Sequence, residues 1–164
     1  MAAPPIARRS ILKHLLLTLT FQQELSYAQG RITALPLSNA LRSSARQAVQ
    51  QNMPLVVMFT LHGCTWCDFV RNSHLLPLIR ERGIHVVEVD ISNSSLLMQD
   101  FDEVTVTHKT FAQKLGVKRT PTLLFFDAKG TEVAPRLVGV SSQEYYGAYL
   151  EQRIEIARQQ IHPT

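Results

Sequence analysis

The chain has 164 residues, 45% apolar and 18% charged, which suits one globular domain and excludes wholesale disorder or a fibrous repeat. Formal net charge is +4, but Arg8, Arg9 and Lys13 all fall in the first 13 positions. Residues 29–164 carry 14 basic against 12 acidic side chains, too weak and scattered a balance for nucleic acid as a partner.

The first 28 residues read as a cleavable export signal. Basic Arg8 to Lys13 precede the apolar run Leu15-Leu16-Leu17-Thr18-Leu19-Thr20-Phe21, and Ser26-Tyr27-Ala28 offers a small-residue cleavage point after Ala28. The run is far shorter than the ~20 residues a membrane span needs. The alternative use of this segment is an N-terminal helix packed on the domain. Arg8-Arg9-Ser10-Ile11-Leu12-Lys13 is similar to a twin-arginine signal with Ile in place of Phe, and a Sec signal starts in the same basic way. Export predicts a periplasmic product with no membrane span once the signal is removed.

The domain is expected over 29–164. Residues 29–36 form an extended lead-in, and 38–52 place Leu41, Ala45, Ala48 and Val49 on one helical face with Ser38 as N-cap. Residues 54–60, PLVVMFT, make a short apolar run suited to a fully buried strand. A helix is predicted from Thr65 to Glu81, stopping near Gly83, with a kink or early break at Pro77. HVVEVDI (85–91) is the next strand, and 92–107, without a clean period, is an inserted connection. A short helix over 108–116 ends at Gly116, and 121–126 is another buried strand. A turn at 127–130 leads to a run that Pro135 demotes to an edge or bulged strand. Ser141 and Glu144 form a capping box opening a helix to about Arg158. Strands separated by helices predict parallel pairing, and the last two strands a hairpin.

Both cysteines lie in HGCTWCDF (62–69), and three uses of the pair are open: a redox dithiol, part of a metal site, or a structural bridge. A structural zinc site needs four ligands, and Cys64, Cys67 and His62 leave the set short. A copper-binding metallochaperone stays open as the alternative, because thiolates suit Cu(I). A structural bridge would close a tiny loop and remove little unfolded-state entropy. Redox exchange needs a thiolate, and a helix N-terminus favours one. There Cys64 would be the nucleophile and Cys67, one turn inward, the resolving thiol.

A strand ending at C-x-x-C, cysteines that open a helix, and Thr120-Pro121-Thr122 at a later strand together resemble the thioredoxin superfamily. The matching segments are VVMFTLHGCTWC, VVEVDI, FAQKLGVKRTPTLLFFDAKG and the closing hairpin and helix. They cover most of 38–158. With the leader and the insert, the chain is similar to periplasmic thioredoxin-like proteins of the SoxW type. The resemblance implies an α/β thioredoxin fold: a central mixed sheet of about four strands flanked by helices, with an extra N-terminal helix and an insert before the proline segment.

It further implies a protein-disulfide reductase that works without a cofactor or metal, as a monomer. Its partners would be disulfide-containing proteins and a membrane thiol electron donor. Pro121 would be a cis-proline facing the cysteines, with Thr120 lining the substrate groove. Three departures qualify the resemblance. Thr65-Trp66 stands where thioredoxin has Gly-Pro, and Trp66 where the strongly oxidising members carry His, so a disulfide oxidase or isomerase is the lesser reading. Met58 stands where thioredoxin has a buried aspartate. Trp66 is either an exposed aromatic rim for substrate or a packed side chain. Glu88, in the second strand, either faces the cysteines as a substitute proton acceptor or turns to solvent. His62 either favours the Cys64 thiolate or is simply an exposed loop residue.

Overall fold

The computed structural model describes residues 33–37 and 39–161; the expected leader at 1–28 and the proposed N-cap Ser38 lie outside them. The first helix, α1 (Leu41–Gln50), buries Leu41, Ala45 and Ala48. Its N-cap is Ala40, which has no side chain to cap with. The helix starts here because residues 39 and 40 are already engaged elsewhere. Ala40 bridges to Gln99, and the Gln99 N–H donates to the Asn39 carbonyl at 2.9 Å.

β1 (Leu55–Thr60) is buried at all six positions, as a strand covered on both faces must be. Val56 and Met58 face one core with Cys67, Val70 and Tyr146; Leu55, Val57 and Phe59 face a second with Leu41, Phe111 and Phe126. β2 (Val86–Asp90) runs parallel to β1, with Glu88 opposite Met58. β5 (Thr122–Phe126) lies on the other side of β1, and β6 (Leu137–Val138) forms the edge, giving the order β2-β1-β5-β6. This is the thioredoxin fold, a mixed four-stranded sheet between helices.

The expectation of parallel pairing fails at one place. β5 is antiparallel to β1, not parallel. The helix before it, α4 (His108–Lys114), has seven residues and rises only about 10 Å, too short to carry the chain back across a strand of about 20 Å. The chain therefore re-enters the sheet from the end at which β2 left it. The 92–107 connection is also more ordered than its sequence suggests. β3 (Leu97–Gln99) and β4 (Thr105–Thr107) pair as an antiparallel hairpin. Asp100 closes its turn by accepting from the Asp102 and Val104 N–H groups.

The helix after the cysteines is interrupted where Pro77 predicts. α2 (Thr65–Val70) passes through a π-helical turn, Arg71–Leu75, into α3 (Leu76–Arg82). Pro77 has no N–H to give the carbonyl of Ser73, and its ring crowds that carbonyl, so the preceding turn widens. Gly83, at φ +65°, ends α3 in a left-handed conformation open to glycine. The last helix, α5 (Tyr146–Ile161), begins five residues after Ser141, so the predicted capping box does not open it. No helix of the described residues is long and apolar enough to cross a membrane.

Candidate active site

The buried β1 delivers the chain to the sulfur pair. After Thr60 a loop of four residues, with Gly63 at φ +74°, turns into α2, whose N-cap is Cys64. The Cys64 Sγ accepts the Cys67 backbone N–H at 3.2 Å, an N–H that is shared with the Cys64 carbonyl at 2.9 Å, so a first-turn helix N–H lies against the sulfur. Cys64 is half-buried and Cys67 is 1% exposed, and the two form a disulfide. Of the two residues Cys64 is the more exposed, packed only against the margin of the core to which Cys67 belongs beside Met58 and Val70.

Thr120 and Pro121 arrive from the start of β5, which the antiparallel register brings to the same end of the sheet. The Thr120–Pro121 peptide is cis. The Thr120 Oγ1 donates to the Cys64 Sγ at 3.5 Å, and the Pro121 carbonyl accepts the Gly139 N–H at 2.7 Å. Cys64, Cys67, Thr120 and Pro121 are thus one cluster, although 56 residues separate Cys64 from Thr120.

Trp66 is both exposed and packed. It is 46% exposed, and its ring also packs edge-on against Phe69 at 6.0 Å. Phe69 in turn meets His74 at 5.1 Å and Tyr146 at 6.3 Å, so an aromatic row runs from the cysteine loop to α5. The Tyr146 Oη and His74 Nε2 in that row are buried with no hydrogen-bond partner among the described residues. Burial pushes the Tyr146 hydroxyl well above its ordinary value and holds the His74 imidazole below its own. His62 is exposed in the loop before Cys64.

Glu88 does not turn to solvent. It is 9% exposed and accepts at both carboxylate oxygens from Arg71, with Nε at 3.1 Å from Oε2 and Nη2 on Oε1. Arg71 also binds Asp68 and reaches the Thr60 Oγ1 at 3.4 Å. The Glu88 hydrogen bond drives the guanidinium above its ordinary value against the cost of burial, with Asp68 adding to it. Arg71 is the residue that sequence reasoning missed. The signal was its spacing, one helical turn beyond Cys67, on a helix whose neighbouring strand carries Glu88 between apolar residues. Among the described residues, no three His, Cys, Asp or Glu side chains gather as a metal site.

A dithiol–disulfide pair at a helix N-terminus beside a cis-proline loop, on a mixed sheet, is the layout of a thioredoxin-fold oxidoreductase. Residues 41–154 match the family described as Thioredoxin-like domain, and the chain belongs to that family. It is 27% identical over 117 residues to the thiol:disulfide interchange protein DsbD of Yersinia pestis, a match that covers 71% of this chain and 18% of that protein. The chain therefore spans about a fifth of the curated relative's length. In fold it is similar to thioredoxin O2 of Arabidopsis thaliana in its oxidised state, with TM-score 0.50, 22% identity, and 73% of this chain and 93% of that one covered. It is likewise similar to a DsbH oxidoreductase, with TM-score 0.51, 17% identity, and 81% and 94% covered.

Proposed function

We propose that this protein is a periplasmic protein-disulfide reductase of the SoxW-like kind. The observation that carries the reading is the asymmetry of the sulfur pair: an accessible Cys64 at the helix N-cap and a buried Cys67 one turn inside. The Cys64 thiolate attacks a substrate disulfide, a mixed disulfide forms, and one substrate sulfur leaves as thiolate. The Cys67 thiolate then attacks the Cys64 sulfur, forming the Cys64–Cys67 disulfide and expelling the second substrate sulfur. Two electrons pass to the substrate. A membrane thiol electron donor returns them, and the likeness to a thiol:disulfide interchange protein supports that supply.

In this scheme Trp66, Thr120 and Pro121 hold the substrate segment over Cys64, and no cofactor takes part. The exposed ring of Trp66 and the contact of Thr120 with Cys64 support those roles. His62, exposed two residues before Cys64, assists the thiolate by its charge. Export rests on the sequence of residues 1–28, and the reducing direction on the absence of a His before Cys67.

The test is a disulfide-reduction assay coupled to a redox titration. Cys64→Ala abolishes reduction, whereas Cys67→Ala accumulates a mixed disulfide with substrate. The potential of the couple is expected near thioredoxin's, about −270 mV; a value near about −120 mV makes the protein an oxidase instead. Full activity in Cys64→Ala removes the mechanism altogether.

A further inference from the structure

The two flanks of Cys64 carry opposite charge. The loop before it, Leu61 to Gly63, opens on a cleft of about 250 Å³ whose lining includes Asp68, Arg71, Glu88 and Asp90. Three carboxylates there face one guanidinium and the His62 imidazole, and Arg71 is already bound to two of them, so the cleft stays net negative. The loop on the other side, before Thr120, opens on a groove of about 200 Å³ lined by Lys118, Arg119, Arg136 and the exposed Val138. The Arg136 Nε is held by Glu132 at 2.9 Å and its Nη1 by the Leu115 carbonyl at 2.7 Å, so Arg136 forms a neutralised wall. Lys118 and Arg119 are exposed, and neither has an ion-pair partner among the described residues.

These two cations sit on a fixed support. The Val117 N–H donates to the Ala112 carbonyl at 2.9 Å, and the Thr122 hydroxyl donates to the Arg119 carbonyl at 2.8 Å. The residue after Arg119 is Thr120, whose hydroxyl is 3.5 Å from the Cys64 sulfur. The Lys118–Arg119 segment thus leads directly into the residue that touches the Cys64 sulfur, and a polypeptide laid across that loop meets both cations. The rest of the domain, nearly balanced in charge, supplies no strong competing field.

We propose that Lys118 and Arg119 select the substrate: a protein disulfide with acidic side chains next to the cysteine that Cys64 attacks, seated along the Lys118–Arg119–Val138 groove. The opposite flank, net negative, repels the same side chains and so fixes which way the segment lies. Complementary charge speeds encounter and like charge rejects the wrong partner, and both effects fade with salt. This selection rests on the disulfide-reductase reading above.

The experiment measures kcat/KM of the intact protein for two model peptides that share one disulfide, flanked by Asp-Asp in one and Lys-Lys in the other. The wild type at low ionic strength is expected to prefer the acidic peptide about fivefold, and the ratio to approach one in about 1 M salt. In Lys118→Glu/Arg119→Glu the preference inverts; in Lys118→Gln/Arg119→Gln, which keeps the polar surface if the reversal disturbs folding, the ratio falls to one or below, because the net negative flank remains. Taking the ratio of two substrates cancels any change in the reactivity of Cys64 itself. Equal rates for the two peptides in the wild type, or the wild-type ratio kept in both variants, overturn the selection and leave the reductase reading standing. A wild type that opens neither peptide overturns that reading and the selection with it.

Discussion

The two faces of the sheet are built differently. The face covered by α1, α4 and the hairpin is packed mainly by hydrocarbon: Phe59 stacks on Phe111 at 6.1 Å, Phe101 lies against Phe126 at 4.7 Å, and the buried His108 is tied in by its Nδ1, which accepts the Asp90 N–H at 3.1 Å. Its main charged element, Asp100, has its partners. Burial alone would raise its carboxyl, but the Lys114 ammonium and the Val104 and Asp102 N–H groups outweigh that and hold it low. The face that carries the sulfurs contains the Arg71–Glu88 pair and the aromatic row, in which the Tyr146 Oη and the Nε2 of the half-buried His74 lack partners among the described residues. Stability and reactivity are thus lodged on opposite sides of one sheet. A change on the hydrocarbon face should cost stability alone, whereas a change on the sulfur face should move the redox couple as well.

The largest effect is expected at Arg71. Removing one partner of a buried pair strands the other, so Arg71→Ala should lower the unfolding free energy by about 3 kcal/mol. It also removes the cation one helical turn from Cys67 and leaves Glu88 and Asp68 uncompensated. A nearby negative charge disfavours the thiolate and so the reduced form, which drives the potential of the couple more negative. Glu88→Gln should destabilise the fold too, yet shift the potential in the opposite direction, because the guanidinium then keeps only the exposed Asp68 as a counter-charge. Urea unfolding and a glutathione redox titration of both variants read the two quantities. Potentials that do not separate in sign would make the pair a merely structural one.

Gly130→Ala is the matching perturbation of the other face. A Cβ there would lie 2.3 Å from the Phe101 ring, and Gly130 sits at φ +84°. Crowding and backbone strain together should cost about 2 kcal/mol, with the redox potential unchanged. A shifted potential in this variant would mean the two faces are coupled through β1, and the comparison would fail.

How much could be read in advance follows the same division. β1 is legible because burial on both faces forces a continuous apolar run, and Cys64 because its chemistry needs a helix N-terminus. The hairpin was not legible: Leu97 is 62% exposed beside the buried Met98, and Glu103 takes φ +63° in a turn where a glycine would have advertised it. The direction of β5 depends on the short reach of α4, which periodicity does not report. Arg71 was missed because its role depends on a partner 17 residues away, across the packing of helix on sheet. Local pattern reveals elements whose cause is local; pairs made by tertiary packing appear only when the layers are in place.

The smallest effect is expected at His74, the titratable member of the aromatic row behind Trp66. Burial holds its folded-state proton affinity below the ordinary value, so the unfolded chain takes up the proton first as pH falls. The contribution of a neutral His74 is therefore fully present above the unfolded value of about 6.5 and declines as the solution is acidified through it. His74→Phe keeps a ring against Phe69 and Tyr146 but cannot be protonated. Its unfolding free energy should fall less than the wild type's between about pH 7 and pH 5, a window above the range where Asp100 takes up its own proton. Because the row ends at Trp66, the same titration followed by tryptophan fluorescence should show a step in the wild type that the variant lacks. Identical pH slopes in the two proteins would mean that this face holds its buried imidazole at no cost. The contrast with the hydrocarbon face would then rest on the Arg71–Glu88 pair alone.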